Sequence, residues 1–246
     1  MKIGGKVSII IPVRYRADLT QVCIDSILKY TKDFELIVVL EGEDEEINEL
    51  LNKYQIEYFG KVKVVQNKIP KGYAGALNAG MKVATGEYFC FMNNDTVATP
   101  GWMDNMLKAF DDKEVGLVTP TFWGMGTRQS VDWNTDREFD WVLEPFHLAG
   151  VCFLIPRKVM NEIGEWDEQF NHGGEDFDIT LRIDKLGYKM IVARKAFIYH
   201  YGGASTREYI GDDLEVVRRH HKDMIDLLIK KHGLEVQDTY DRLMKK

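Results

Sequence analysis

Cysteine is scarce: the 246 residues hold three, Cys23, Cys90 and Cys152, far apart and each inside an apolar stretch. An odd, scattered set without metal-ligand spacing excludes a disulfide framework and a cysteine-held zinc, and fits a reducing, cytoplasmic setting. Long hydrophobic runs are also missing. Val7 to Val13 is interrupted by Ser8 and Pro12, too short for a signal peptide or a span, and nothing later approaches the roughly 20 apolar residues of a membrane helix. Positive charge is in deficit, with 32 Lys and Arg against 39 Asp and Glu for a net −7. The chain therefore lacks the diffuse field that grips phosphate backbones or anionic lipid, and nucleic acid is not an expected partner. If such a chain binds a small polyanion, it needs a local device: backbone N–H groups, a few Arg or Lys, or a divalent metal.

What is present is ordinary globular composition, 45% hydrophobic and 29% charged. The length suits one large domain able to bury roughly 70% of its unfolded surface. Short β-branched runs alternate with helical patterns through the first half, the mark of βαβ units and a mainly parallel, buried sheet. Strands are expected at Val7–Val13, Phe34–Leu40, Val62–Gln66, Glu87–Met92 and Val115–Pro120. Helices are expected from Asp18, with Gln21 at capping-box spacing, over Glu43–Tyr54 and Tyr73–Ala84, and from a Thr99 cap with Pro100 at the first position. Between Phe122 and Pro145 periodicity disappears, which reads as a functional loop or lid. Structure resumes at Leu148–Ile155, a short helix after Pro156, a Gly173-Gly174 turn, a helix from Glu175 to about Leu186, and strands near Tyr188–Val192 and Ala196–His200. A charged helix over Asp212–Lys231 carries an apolar stripe of Leu214, Val217, Met224 and Leu228.

In open α/β sheets ligands sit beyond the carboxyl ends of the strands. Those ends supply Pro12, Val13 and Arg14; Glu41 and Gly42; Asn67 and then Lys71-Gly72-Tyr73; and Asn93-Asn94-Asp95. Together they offer what a nucleotide requires: a carboxylate, amides, a glycine where backbone passes close, and an acid for a metal. Singly each has an ordinary reading, Asn93 to Thr96 as an Asx turn and the residues after Glu41 as a solvated acidic face. Glu175 and Asp176 open a helix whose dipole favours their ionised forms, and they point about 100° apart, so one can serve as a base while the other anchors the loop. Their plain alternative is N-terminal capping with an Arg182 ion pair. His200 closes the last short strand and is a good donor to a divalent cation.

In that order these motifs resemble the family-2 glycosyltransferases of GT-A fold, a Rossmann-like nucleotide-diphospho-sugar transferase architecture, from Val7 to about Ser205. Val7-Ser8-Ile9-Ile10-Ile11-Pro12 is similar to the family's opening strand and Val38–Glu46 to its second strand and turn. Lys71 to Gly80, including Asn78, resembles the stretch before the metal motif, Phe91–Thr96 the Asp-x-Asp region, Gly150–Ile155 the strand under the acceptor, and Gly174–Arg182 the Glu-Asp segment. Two departures stand out: Leu40-Glu41 replaces a frequent Asp pair, and Asn93-Asn94-Asp95 keeps only the last carboxylate of the metal motif.

The resemblance implies an α/β domain over 1–210, with a nucleotide-binding half to 98, an acceptor and catalytic half from 99, and a helical extension over 211–246. It implies inverting transfer from a UDP-, GDP- or dTDP-sugar to a carbohydrate, lipid-linked or protein hydroxyl, with Mn²⁺ or Mg²⁺. Asp176 is then the base, supported by Glu175. Asp95 and His200 hold the metal. Glu41 meets the nucleobase, Asn94 the ribose or sugar, and Arg14 and Arg207 the diphosphate. Pro12, Val13, Asn67, Gly72, Asn78 and Asn93 complete the donor site. Trp123, Trp133, Trp141 and Trp166 fall in or near the acceptor region, where indole faces stack on sugars, although core packing is the ordinary role of each. Two rival classes are a nucleotidyltransferase, for which Pro12-Val13-Arg14-Tyr15-Arg16 lacks the glycines of a phosphate loop, and a non-catalytic carbohydrate-binding relative.

Overall fold

The computed structural model describes residues 7–123, 129, 141–142, 148–170, 173–202 and 214–233. Strands β1 (Val7–Val13), β2 (Phe34–Glu41), β3 (Val62–Asn67) and β4 (Tyr88–Met92) alternate with helices α1 (Ala17–Tyr30), α2 (Glu45–Glu57) and α3 (Gly72–Val83). Then come β5 (Thr96–Ala98), α4 (Trp102–Lys108), β6 (Val115–Phe122), β7 (Trp141–Val142), β8 (Cys152–Pro156), α5 (Arg157–Ile163), α6 (Glu175–Lys185), β9 (Lys189–His200) and α7 (Leu214–His232). The sheet order is β3-β2-β1-β4-β8-β6-β9-β5, with β7 paired to β9.

The expected parallel pairing holds throughout the first block, where β1 lies between β2 and β4 and β2 pairs with β3. Beyond β4 the sheet is mixed. β8 runs antiparallel to both β4 and β6, β6 and β9 are parallel, and β5 and β7 are antiparallel to β9. Residues of β1 alternate between two cores: Ile9 and Ile11 pack with Ile24, Ile27, Leu51 and Trp102 on one face. Ile10 packs with Leu77, Val159, Ile179 and Ile183 on the other. Burial on both faces is why these strands read as continuous β-branched runs rather than alternating ones. Both cores run under both halves of the chain.

Four local expectations are corrected. The Asp18 capping box is not used: α1 starts after Arg16, which is left-handed at φ 66° with no side-chain cap, and Arg16 pairs with Asp18 at 2.7 Å. α4 starts after Gly101 rather than at Thr99-Pro100; Thr99 accepts the Trp102 N–H instead, at 3.3 Å. The strand β5 was not anticipated. The two expected late strands are one, β9, whose register against β6 shifts between Pro120 and Thr121, so the Arg194-Lys195 stretch is an irregularity within a strand and not a turn. Most of the segment read as a lid lies outside the described residues; its described parts extend β6 to Phe122 and supply β7. The C-terminal helix docks: Leu228 and Phe170 form a small third cluster with Phe177, Leu181, Met224 and Leu227. Leu214 and Val217 fall on α7 by position, but their side chains lie outside the described set.

Candidate active site

Because β8 is antiparallel to β4, its approach, Gly150-Val151, reaches the rim where β1 to β4 end. Val151 accepts the Asn93 N–H at 3.1 Å there. At the same rim α6 starts with Glu175 and Asp176, after Gly174 at φ 89°. Asp176 Oδ2 accepts the Gly150 N–H at 3.1 Å, and Oδ1 accepts the Phe177 N–H at 2.9 Å. A Cβ on residue 150 would stand 3.0 Å from the Asp176 Cβ, so glycine is what permits this approach of strand to helix. Glu175 Oε2 accepts the Gly173 N–H at 2.7 Å. Burial, then the Asp176 charge, push the Glu175 carboxyl up to about 7.

Tyr73 joins the acids to the β4 turn. Its hydroxyl donates to Asn93 Oδ1 at 3.0 Å and lies 3.4 Å from the Gly150 carbonyl oxygen. Burial first, then the charges of Glu175 and Asp176, followed by Cys152 and Asp95, raise this phenol well above its ordinary value, so it remains a donor. One buried hydroxyl thus senses both the acid pair and the acid after β4.

Asp95 and His200 are side by side, since Thr96 and His200 are partners in the β5–β9 ladder. Asp95 accepts the Tyr201 N–H through its carbonyl at 3.0 Å. Its Oδ1 lies 3.2 Å from His200 Nε2, yet both buried ring nitrogens lack a hydrogen-bond partner among the described residues. Phe122 presents its ring to the imidazole, centroids 5.9 Å apart. Two donors about 3 Å apart match neighbouring ligands at bonds of about 2.1 Å, the spacing of a Mg²⁺ or Mn²⁺ shell. The orphaned imidazole and its carboxylate neighbour therefore fit a divalent cation. Among the described residues no cluster of three or more His, Cys, Asp or Glu forms around a metal position.

At the other end of the rim Glu41, only 6% exposed, has both oxygens engaged. Oε1 accepts from the Asn67 amide, and Oε2 accepts the Lys71 and Gly72 N–H groups. Glu41 and Asn67 together fix the turn into α3. Val13 is buried, Pro12 and Arg14 half-buried, and the Arg14 guanidinium lies over the Tyr15 ring at 5.2 Å. Asn94 donates to the Tyr15 carbonyl and Thr20 Oγ1, at 3.0 and 2.9 Å, tying the β4 turn to α1.

One expectation gives way, and the ordinary reading of Trp166 as a core residue holds. Asn78 is buried and turned from the rim: its amide donates to the Trp166 carbonyl and Glu168 and accepts the Trp166 N–H, a clamp between α3 and the segment before α6. Trp166 is itself 3% exposed, set edge-on to Phe91 and Tyr73, so it offers no face for stacking. Trp123 stands 55% exposed beyond β6. Arg207, Trp133 and the Trp141 side chain lie outside the described residues. Arg182 pairs with Asp178 at 2.7 Å rather than with the acid pair. Sequence reasoning passed over Tyr73, Gly150 and Asp178 as functional residues; Tyr73 and Gly150 stood inside quoted motifs, and only the chain's path shows what they touch.

A parallel block extended by a mixed one, with acids gathered at a single rim, is the GT-A architecture. Two solved structures share it. GalNAc-T7 with UDP, GalNAc and Mn²⁺ superposes with a TM-score of 0.70 at 20% identity, covering 87% of this chain and 47% of that one. The mannosyltransferase PcManGT from Pyrobaculum calidifontis, in complex with GDP-Man and Mn²⁺, gives 0.67 at 17% identity over 92% and 65%. The Glycosyl transferase family 2 model matches residues 8–164, and the chain belongs to that family; a second model, Glycosyltransferase like family 2, matches 145–221. Curated relatives include the O-antigen biosynthesis protein RfbC of Myxococcus xanthus, 27% identical over 82% of this chain and 18% of that protein. The probable glycosyltransferase YdaM of Bacillus subtilis (strain 168) is 27% identical over 76% of the chain and 49% of its own length. An inactive polypeptide N-acetylgalactosaminyltransferase-like protein 5 of Macaca fascicularis is 24% identical over 75% and 48%. The chain thus spans less than half the length of these curated relatives.

Proposed function

We propose that this protein transfers a sugar, with inversion, from a nucleotide-diphosphate sugar to a hydroxyl acceptor. One observation supports the reading: Gly150 donates its N–H to Asp176, and the Tyr73 hydroxyl that donates to Asn93 Oδ1 lies 3.4 Å from the Gly150 carbonyl oxygen, so the base candidate and the turn that carries Asp95 share one rim of the sheet. Asp176 takes the proton of the acceptor hydroxyl, and the Gly150 N–H aims its carboxylate. Glu175 holds the Gly173 turn beside the base, its own carboxyl pushed up to about 7 by burial and then the Asp176 charge. Asp95 and His200 hold Mn²⁺ or Mg²⁺, which when bound offsets charge on the departing diphosphate. Arg14 and Arg207 serve the diphosphate, and Glu41 shapes the nucleotide end by fixing Asn67 and the Lys71-Gly72 turn. The Mn²⁺ in the two solved relatives' complexes supports the cation, and their UDP and GDP-Man support the donor class. Likeness alone includes an inactive relative, so it is the retained acid pair and cation pair that favour catalysis over a binding module.

Incubation with UDP-, GDP- and dTDP-sugars and Mn²⁺, reading free nucleoside diphosphate, tests the reaction. Asp176→Asn is expected to lower turnover by about 10²- to 10⁴-fold while donor affinity stays. Equal loss of binding and turnover would make Asp176 a structural residue, and pyrophosphate release from a nucleoside triphosphate would make the protein a nucleotidyltransferase.

A further inference from the structure

The helix carrying the acid pair is held from outside the family pattern. The two family models together end at residue 221, and the residues of α7 that grip α6 come after it. Met224 presses on the turn before Glu175: a Cβ on Gly174 would meet Met224 Cγ at 2.6 Å and the Phe170 ring at 2.9 Å. One turn further along, Asp178 is 1% exposed and is gripped by three side chains. Arg182 bonds Oδ2 at 2.7 Å, while Lys231 Nζ and His232 Nε2 reach Oδ1 at 2.8 and 2.7 Å. Lys231 also holds Asp167 at 2.7 Å, so the same ammonium fixes the segment leading into α6. His232 Nδ1 lies 3.2 Å from Lys185 Nζ. An ammonium only donates, so Nδ1 accepts from Lys185 and Nε2–H donates to the carboxylate. Burial alone would raise the Asp178 carboxyl, but the bonds from His232 and Lys231 outweigh it and hold it at about 2.

We propose that Lys231 and His232 are positioning residues for the acid pair, acting through Asp178 to seat the first turn of α6 against Gly150. The inference rests on the reading of Asp176 as the base. Asp178 closes that first turn, donating its N–H to the Gly174 carbonyl at 2.9 Å. A tilt of α6 therefore moves Asp176 relative to Gly150, where an added methyl group would stand 3.0 Å from the Asp176 Cβ. The strand ends assigned to the donor touch neither Lys231 nor His232, so loosening α7 separates turnover from donor binding.

The test compares His232→Leu with His232→Gln, which keeps an N–H for Asp178, in the full chain. His232→Leu is expected to lower kcat ten- to hundredfold, with the dissociation constant of the nucleoside diphosphate and Mn²⁺ within twofold of wild type. His232→Gln is expected to recover most of the loss. Hydrogen exchange at the Phe177 and Asp178 amides is expected to quicken in the leucine variant only. Unchanged kcat despite faster exchange would overturn the proposal, leaving α7 a stabilising helix. Parallel loss of kcat and donor affinity would overturn it too, as would a glutamine variant no better than leucine. A wild type that transfers no sugar but shows the exchange pattern would instead sink the proposed reaction and keep the mechanical link between α7 and α6.

Discussion

Glu175→Gln separates the electrostatics of the acid pair from its shape. In the folded chain the Glu175 carboxyl rises from 4.5 to about 7, through burial and then the Asp176 charge. The folded chain therefore keeps a proton that the unfolded chain releases. Stability falls as pH rises from about 4.5 to about 7, and the whole cost is present above that window. At about 1.4 kcal/mol per pKa unit the cost comes to about 3 kcal/mol, a sizeable fraction of a domain's total stability. Glutamine cannot ionise, yet its carbonyl oxygen still accepts the Gly173 N–H that Glu175 holds at 2.7 Å, so the turn is kept. Urea unfolding of both proteins at pH 4.5 and pH 8 measures the difference directly. The variant should gain on wild type by up to about 3 kcal/mol between the two. A stability difference that stays constant across that range would show that Glu175 is not strained by its own charge, and the reasoning would fail.

Gly150→Ala places a methyl 3.0 Å from the Asp176 Cβ; turnover should fall about a hundredfold with donor affinity retained, and wild-type kinetics would show that the Asp176–Gly150 contact is not used. Asp95→Ala and His200→Ala should each weaken Mn²⁺ binding and make transfer demand more metal, measured by titrating Mn²⁺ in the presence of the nucleoside diphosphate; metal dependence identical to wild type would remove the pair from the cation site.

The first four strands were legible because β1, β2 and β4 are buried on both faces, β3 is a valine-rich run although half-buried at the edge, and a β-branched run between helical patterns has few other uses. β5 was not, since three residues at an antiparallel edge carry no periodicity of their own. The single strand β9 looked like two because Arg194-Lys195 breaks its apolar pattern, while the ladder to β6 absorbs the break as a shift in register. The left-handed Arg16 leading into α1 likewise follows from the turn after β1 and not from capping chemistry in the sequence.

For the candidate site, residue types and their order identified the acids, but not which way amides turn. Asn78 has the same composition whether it meets a ligand or clamps Trp166. Glu41 was legible as a carboxylate at a strand end, but its capture of two backbone N–H groups depends on where the turn after Asn67 folds back. Asp178 sat in plain view between Asp176 and Arg182. Its partners Lys231 and His232 lie more than fifty residues away, and only the docking of α7 brings them near.

The reversed strand β8 has a consequence for how such a sheet can change. Its neighbours β4 and β6 deliver chain out at that end of the sheet, whereas β8 takes chain in there through Gly150-Val151. Length can change between Val142 and Leu148 without disturbing a rung of the β7–β9, β4–β8 or β6–β8 ladders. Such variation leaves untouched the parallel block of β1 to β4 that forms the opposite side of the same rim.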